Sequence, residues 1–524
     1  MVQNYFDDEE IKVVNMLAGS GSTSDGSFIA GKTKATYFNK QDASLKSDKF
    51  KVLVELTGAE AGEHRLGVDL VMMLDVSSSM KGKKLENMKT ATKFLVRKLS
   101  HVDRLSIVKF SANAERLCRL RLMTPDAHSY VEGLVDGLEI DSGTNITAGL
   151  EESVKVLSNR MFTKGREVAI MLMSDGDPFP RTADGSQVSI NNVAVHTFGL
   201  GQDYHPKVLH NIAQRSNGGT FSTADVENTK TSNLSIAFSQ CLAGLLNVVV
   251  QDLTLTITKV GSTIEKVSAG NYFQSSNESE GSKTISFGNL YSTEIRSVLV
   301  DLVLDEVTES QGTDVLEFTY TYKIASGEVY DAPPVIITVS RTETPLTKES
   351  PKVLMEEARQ HTANKMKEAR KMADANRFDE ARGELNKAKD YLKRDGLDKS
   401  HPNIKGLNSE VDQFLKLLES PDIYKKLGRA FAFASELSHA LQRFAARGDV
   451  NELRLFATDA MDQYLDQVKN YEKFPDAPVQ SSNEDIKERK VKNPYADIAD
   501  ILSMHLGEAI QSLKRIQDII NESH

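Results

Sequence analysis

Gly67-Val68-Asp69-Leu70-Val71-Met72-Met73-Leu74-Asp75-Val76-Ser77-Ser78-Ser79-Met80 is the stretch on which the reading of this chain turns. An apolar run of strand length ends in Asp75, and Ser77 and Ser79 follow at a spacing of two. A buried strand ending this way carries one carboxylate and two hydroxyls to the edge of a sheet, in the order Asp-x-Ser-x-Ser. Oxygen donors of this kind suit magnesium, manganese or calcium rather than zinc. A divalent ion held by so few anionic ligands stays electrophilic and retains exchangeable waters. A carboxylate from another protein can replace one of them.

Outward from this stretch, apolar strands alternate with amphipathic helices, the pattern of a doubly wound, mostly parallel α/β sheet covered on both faces. Strands are expected near 68–74, 104–110, 115–121, 167–173, 193–198 and 219–223. Helices are expected near 83–100, 126–136, 146–159, 206–215 and 227–246. In such a sheet ligands bind outside the carboxyl ends of the strands. Two further loops reach that edge. Asp141-Ser142-Gly143-Thr144-Asn145-Ile146 can present the Thr144 hydroxyl, and the strand ending at Met173 runs into Ser174-Asp175-Gly176-Asp177-Pro178, where Asp175 leaves its strand as Asp75 does. Any one of these side chains is explained as a helix cap; Asp75, Ser77, Ser79, Thr144 and Asp175 in register point to a metal site.

These motifs resemble the von Willebrand factor A domain with a metal-ion-dependent adhesion site, and the resemblance covers 67 to about 246. Asp-Val-Ser-Ser-Ser-Met, Gly-Thr-Asn-Ile and Ser-Asp-Gly-Asp-Pro are similar to the motifs of the inter-alpha-trypsin-inhibitor heavy chains. In organisation the chain resembles plant proteins of the wavy-growth RING ubiquitin-ligase group. The resemblance implies that the two serines, with one or both of Thr144 and Asp175, ligate directly or through water, and that a partner's acidic side chain completes the coordination. The chain departs from both groups. The heavy chains are secreted, whereas this sequence opens without a signal, and the plant ligases carry a cysteine-rich RING, which two cysteines cannot build.

With 524 residues, several domains are expected: a β segment over 1–65 that joins a β-sandwich, the A domain over 66–246, the sandwich over 247–345, and an all-α C-terminal domain over 346–524. Period-two alternation in 252–258, 297–304, 317–323 and 334–340 supports the sandwich, with 50–57 as a further strand of it. That pairing would insert the α/β domain into the sandwich. The helical part is expected to break at 394–402, at Pro421 and across 475–494. Residues 358–392 resemble one tetratricopeptide hairpin, but no second copy follows at that period, so an ordinary helical bundle is expected.

The net charge of −10 and the lack of a basic stripe argue against nucleic acid as the partner. No stretch approaches the roughly 20 apolar residues of a membrane span. Cys118 and Cys241 fit a reducing compartment, and with no basic, apolar leader a cytoplasmic location is expected. Gly26-Ser27-Phe28-Ile29-Ala30-Gly31-Lys32-Thr33 satisfies the phosphate-loop pattern, but that mechanism needs a strand running into the glycines and a helix starting at the lysine. Thr33 instead leads into strand-like residues. Gly199-Leu200-Gly201 reads as a tight turn, and no histidine pair or serine has hydrolase spacing. The charged residues around 278–280 and 484–492 read as solvated loops, and the stripe Tyr424, Leu427, Phe431, Ala434 and Leu437, with Phe433 beside it, as core. The expected function is a non-enzymatic, metal-dependent protein–protein interaction. The alternative is a substrate-recruiting or regulatory part of a ubiquitin-ligase assembly, with RING-type ligase proteins as partners; nucleotide hydrolysis through 26–33 comes last.

Overall fold

The computed structural model describes residues 31–61, 65–190, 193–202, 204–224, 233–448 and 451–492. The first part of the phosphate-loop-like stretch, residues 227–232 of an expected helix and everything after 492 lie outside these residues. Gly67–Asp75 is buried along its whole length and forms the centre of a seven-stranded sheet. Arg104–Phe110 lies parallel on one side of it, and Arg166–Ser174, Ala194–Leu200 and Phe221–Ala224 follow parallel on the other. The chain passes first to one side of Gly67–Asp75 and later to the other. The crevice between the ends of Gly67–Asp75 and Arg166–Ser174 is therefore the topological switch point, where open α/β sheets bind ligands.

The single strand expected over 115–121 is instead two short antiparallel pieces, Ala114–Arg116 and Arg121–Leu122, both on Arg104–Phe110. The ladder breaks between them because Cys118 and Leu120 turn into the core and the Ser106 hydroxyl donates to the Cys118 carbonyl at 2.8 Å. Both cysteines are free thiols. The helices at Lys83–Lys98, Pro125–Asp136, Ile146–Ser158, Pro206–Arg215 and Asn233–Leu245 cover the sheet.

Asp48–Gly58 pairs antiparallel with Ile295–Leu304, and with Thr33–Phe38 and Ser262–Ser268 they make a four-stranded sheet. A second sheet, seven-stranded and containing Val248–Lys259, Ser282–Tyr291 and Gly312–Lys323, closes over it. Their facing alternate residues, among them Val52, Val54, Leu56, Leu255, Ile257, Val300, Leu302 and Phe318, form one apolar core. A strand therefore begins at Thr33, where a phosphate loop would start a helix. The acidic residues around 278–280 sit exposed in the turn between Phe273–Asn277 and Ser282–Tyr291.

Pro351–Asp374 and Phe378–Leu392 form a helical hairpin, and Pro402–Leu417 packs beside it. The later helices pack onto the α/β sheet's covering layers. Phe433, Ala434 and Leu437 of Arg429–Leu441 are buried with Leu209 and Ile212, so the aromatic stripe is core. Tyr464, Leu465, Val468 and Tyr471 of Asp459–Lys473 join the core on the other face. The break expected across 475–494 contains a helix, Ser482–Lys492, and its charged residues do not all lie in a solvated loop. Asp485 is fully buried in an ion pair with Lys98, and Ile486 is buried beside it. The segment lacks an apolar stripe, so its anchor is an ionic contact from another part of the chain.

Candidate metal-binding edge of the α/β sheet

The burial of Gly67–Asp75 forces its last carboxylate to find local donors, because an unpaired buried charge is costly. The Ser77 backbone N–H donates to Asp75 Oδ1 at 2.8 Å, and the Ser174 hydroxyl donates to Oδ2 at 2.5 Å. Burial raises the Asp75 carboxyl to about 6; its bonds to Ser174 and Ser77 oppose that shift, while the nearby negative charge of Asp175 adds to it. The chain then turns through Ser78–Met80, closed by the Met80 N–H to the Ser77 carbonyl at 3.0 Å, and enters the helix Lys83–Lys98. This turn leaves Ser77 buried and Ser79 exposed, with their hydroxyls 3.0 Å apart.

The Ser79 hydroxyl donates to Asp175 Oδ1 at 2.8 Å, so a continuous hydrogen-bonded chain runs from the end of one strand to the end of its neighbour. The other oxygen of Asp175 is paired with the Lys84 ammonium, one turn further along. Thr144 arrives on the third loop. That loop is tied to the first by the Asp141 N–H to the Val76 carbonyl at 2.7 Å, and to the neighbouring strand's end by the Asn145 N–H to the Ser111 carbonyl at 2.7 Å. The Ser111 hydroxyl, and then the Ser142 N–H, hold the Asp141 carboxyl below its ordinary range. Gly143 takes φ of +87°, and a side chain there would collide with Ala112, so the tight approach of these loops requires glycine. Asn145 caps the helix that follows, accepting from the Ala148 N–H at 3.0 Å.

The five side chains expected at the edge are thus brought together in two ways. Asp75, Ser77, Ser79 and Asp175 are linked by short hydrogen bonds or by direct electrostatic contact. Thr144 joins them around Gly176: a Cβ there would lie 3.2 Å from Ser79 Oγ and 3.5 Å from Thr144 Oγ1. Gly176 therefore leaves an open cradle lined by hydroxyls, with two buried carboxylates behind it. Two carboxylates and three hydroxyls suit a hard divalent cation and do not suit a softer one. Among the described residues no group of three His, Cys, Asp or Glu side chains could hold a metal, and this cradle does not need one because hydroxyls supply most of its donors.

Ser174 and Lys84 belong to this constellation although neither was singled out by spacing. Ser174 immediately precedes Asp175, so its place in the motif was visible, but its bond to Asp75 depends on the parallel register of the two strands, which sets Leu74 beside Met173. Lys84 lies in the first turn of a helix, where a lysine carries no pattern of its own.

Residues 68–220 match the von Willebrand factor type A domain, and 401–470 match a domain described as VWA / Hh protein intein-like. The chain is 31% identical over 244 residues to the E3 ubiquitin-protein ligase WAV3 of Arabidopsis thaliana, which covers 45% of this chain and 31% of that protein. It is 25% identical over 364 residues to the E3 ubiquitin-protein ligase WAVH1 of the same plant, 66% of this chain and 48% of that one. Human inter-alpha-trypsin inhibitor heavy chain H2 is 24% identical over 182 residues, 30% of this chain and 19% of that protein. The chain thus spans less than half the length of these relatives. In fold it is similar to a von Willebrand factor type A protein from Catenulispora acidiphila, with a TM-score of 0.59 at 18% identity, covering 79% of this chain and 97% of that one. With the parallel sheet, its switch point and these matches together, residues 68–220 belong to the von Willebrand factor type A domain family.

Proposed function

We propose that this protein is a non-enzymatic interaction module that grips a partner protein through a divalent cation, magnesium by preference and manganese or calcium as substitutes. The observation that carries this reading is the hydroxyl-lined cradle at Gly176, with Asp75 and Asp175 buried behind it at the sheet's switch point. Asp75, Ser77, Ser79, Thr144 and Asp175 would hold the ion. The ion supplies an electrophilic position for a carboxylate. The chain's own residues do the rest. Ser174 and the Ser77 N–H orient the Asp75 carboxylate, the Ser79 hydroxyl orients Asp175, and the loop held by Gly143 keeps Thr144 at the edge. A partner of matching chemistry presents an Asp or Glu side chain. We place the module in the cytoplasm. We also divide the chain into a β segment over 1–65, the A domain over 66–246, a sandwich over 247–345 and a helical part over 346–524. Among the described residues no helix is long and apolar enough to cross a membrane.

The test is capture of partners from cell extract on immobilised protein, in magnesium and then in chelator, beside Asp175→Asn. The reading expects proteins that are retained in magnesium, released by chelator and absent with the variant. Retention indifferent to both would contradict it.

A second reading is favoured by the similarity to WAV3 and WAVH1. The module then recruits substrates to a ubiquitin-ligase assembly, with a RING-type ligase protein as its partner. Co-purification of a RING protein with the tagged chain supports this reading, and recovery of partners without any RING protein counts against it.

A further inference from the structure

Lys84 is the one cation that touches the candidate metal ligands among the described residues. Its ammonium pairs with Asp175 Oδ2, while Ser79 occupies Oδ1 of the same carboxylate. Asp175 is fully buried and the Lys84 side chain is mostly buried, at 18% exposure, so solvent screens this pair only weakly. The lysine is not needed to build the helix that carries it. It sits in the first turn, where the helix dipole disfavours a positive charge. A cation held against that preference, beside a carboxylate aimed at a metal cradle, points to work at the cradle.

Charge shows what that work is. The two carboxylates and the ammonium together carry one negative charge. A divalent ion in the cradle would turn this to one positive charge, which a single incoming carboxylate neutralises. Without Lys84 the ion and the two carboxylates would already be neutral, leaving a third carboxylate with no net attraction. We infer that Lys84 sets the balance of this site, weakening its hold on the cation and strengthening the cation's hold on an acidic side chain. The inference rests on the metal-dependent reading above and deepens it by naming the residue that makes the ligand an anion.

The inference requires Lys84→Met to move two affinities in opposite directions, which a merely structural role would not do. Magnesium binding, titrated by calorimetry on the full chain, should tighten at least about tenfold, the scale on which one adjacent charge shifts the ionisation of a carboxylate. Acetate binding to the manganese-loaded protein, read as loss of water-proton relaxation enhancement, should weaken by about threefold or more. Lys84→Arg, which keeps the charge, should leave both near the wild-type values. A Lys84→Met protein that melts normally and binds magnesium and acetate as the wild type does would overturn the inference, as would weakening of both affinities together. Wild-type protein that takes up neither metal would instead overturn the metal-dependent reading itself, and this inference with it.

Discussion

Asp75 and Gly176 do opposite things for the same cradle: one supplies a charge that burial makes costly, the other supplies empty space. The backbone at Gly176 needs no glycine, since it is absent from the positive-φ residues. Space alone explains the residue. Gly176→Ala would place a methyl 3.2 Å from the Ser79 hydroxyl, so the protein should fold with a change of under about 1 kcal/mol. Its magnesium affinity should fall at least tenfold by calorimetry; unchanged affinity would remove Gly176 from the site. That Asp75, Ser77, Ser79, Thr144 and Asp175 meet at one sheet edge is legible in the sequence, because each leaves a strand or opens a helix inside a compact motif. Their mutual bonds were not legible. The Ser79 to Asp175 bond spans two strand ends far apart in sequence, and Lys84 reaches the same carboxylate from a helix with no motif around it.

Among elements, the turn after the helix Arg429–Leu441 does more than end it. Gln442 takes φ of +46°, and its side chain imitates a neighbouring strand, accepting from the Ser297 N–H at 2.7 Å and donating to the Ser297 carbonyl at 2.8 Å. Arg443 then pairs with Glu294 at 2.9 Å, donates to the carbonyls of Gly218 and Asn289, and lies over the Tyr291 ring. A single turn thus joins the helical part, the sandwich and the α/β sheet. Removing one partner of a buried pair is costly because the other charge stays behind, although Arg296 still reaches Glu294 here. Arg443→Ala should therefore lower stability by about 3 kcal/mol in a denaturant titration, and a loss under about 1 kcal/mol would mean the turn is not a joint. Apart from the strand expected at 115–121, the described strands and helices of the A domain are legible from their periods, and so is the burial of Phe433 and Leu437. The helix Ser482–Lys492 was not. Its order comes from the Lys98 to Asp485 pair, and burial pushes Lys98 down to about 8 against the pull of Asp485. Asp485→Ala should strand that ammonium in the core, and amide exchange across 482–492 should rise markedly if the ion pair is what holds the helix.

Across the whole molecule, the chain leaves the sandwich after Gly58 and re-enters it at Val248 side by side: a Cβ on Gly58 would lie 3.1 Å from the Val249 side chain, the Gly58 N–H donates to the Glu294 carbonyl and the Ser292 N–H to the Asn247 carbonyl. The seam is polar, and Glu167 lies in it, accepting from Gln251 at 2.8 Å and Asn289 at 2.6 Å. Burial raises Glu167 from 4.5 to about 7, against the bonds from Gln251 and the Val168 backbone. The folded state therefore holds a proton that the unfolded chain gives up. The stabilisation is fully present below pH 4.5 and is lost as pH rises through 7. Its size is on the order of 3 kcal/mol at 1.36 kcal/mol per unit. Glu167→Gln, which imitates the protonated acid, should gain stability over the wild type at pH 8 and match it at pH 4. An equal difference at both pH values would place the effect elsewhere; buried His196, pushed down to about 3, has the opposite slope and is common to both proteins. Alternation places 50–57 in the sandwich, but its pairing with 295–304, this seam and the packing of later helices against the A domain are not legible, because contacts between distant residues leave no period in a sequence. The proposed function needs a divalent cation at the edge marked by Asp75, and calorimetric titration of magnesium into the wild type and Asp75→Ala decides whether one is held there. One saturable site is expected in the wild type and none in the variant; a wild type that binds no magnesium, or a variant that binds it equally well, would overturn that reading.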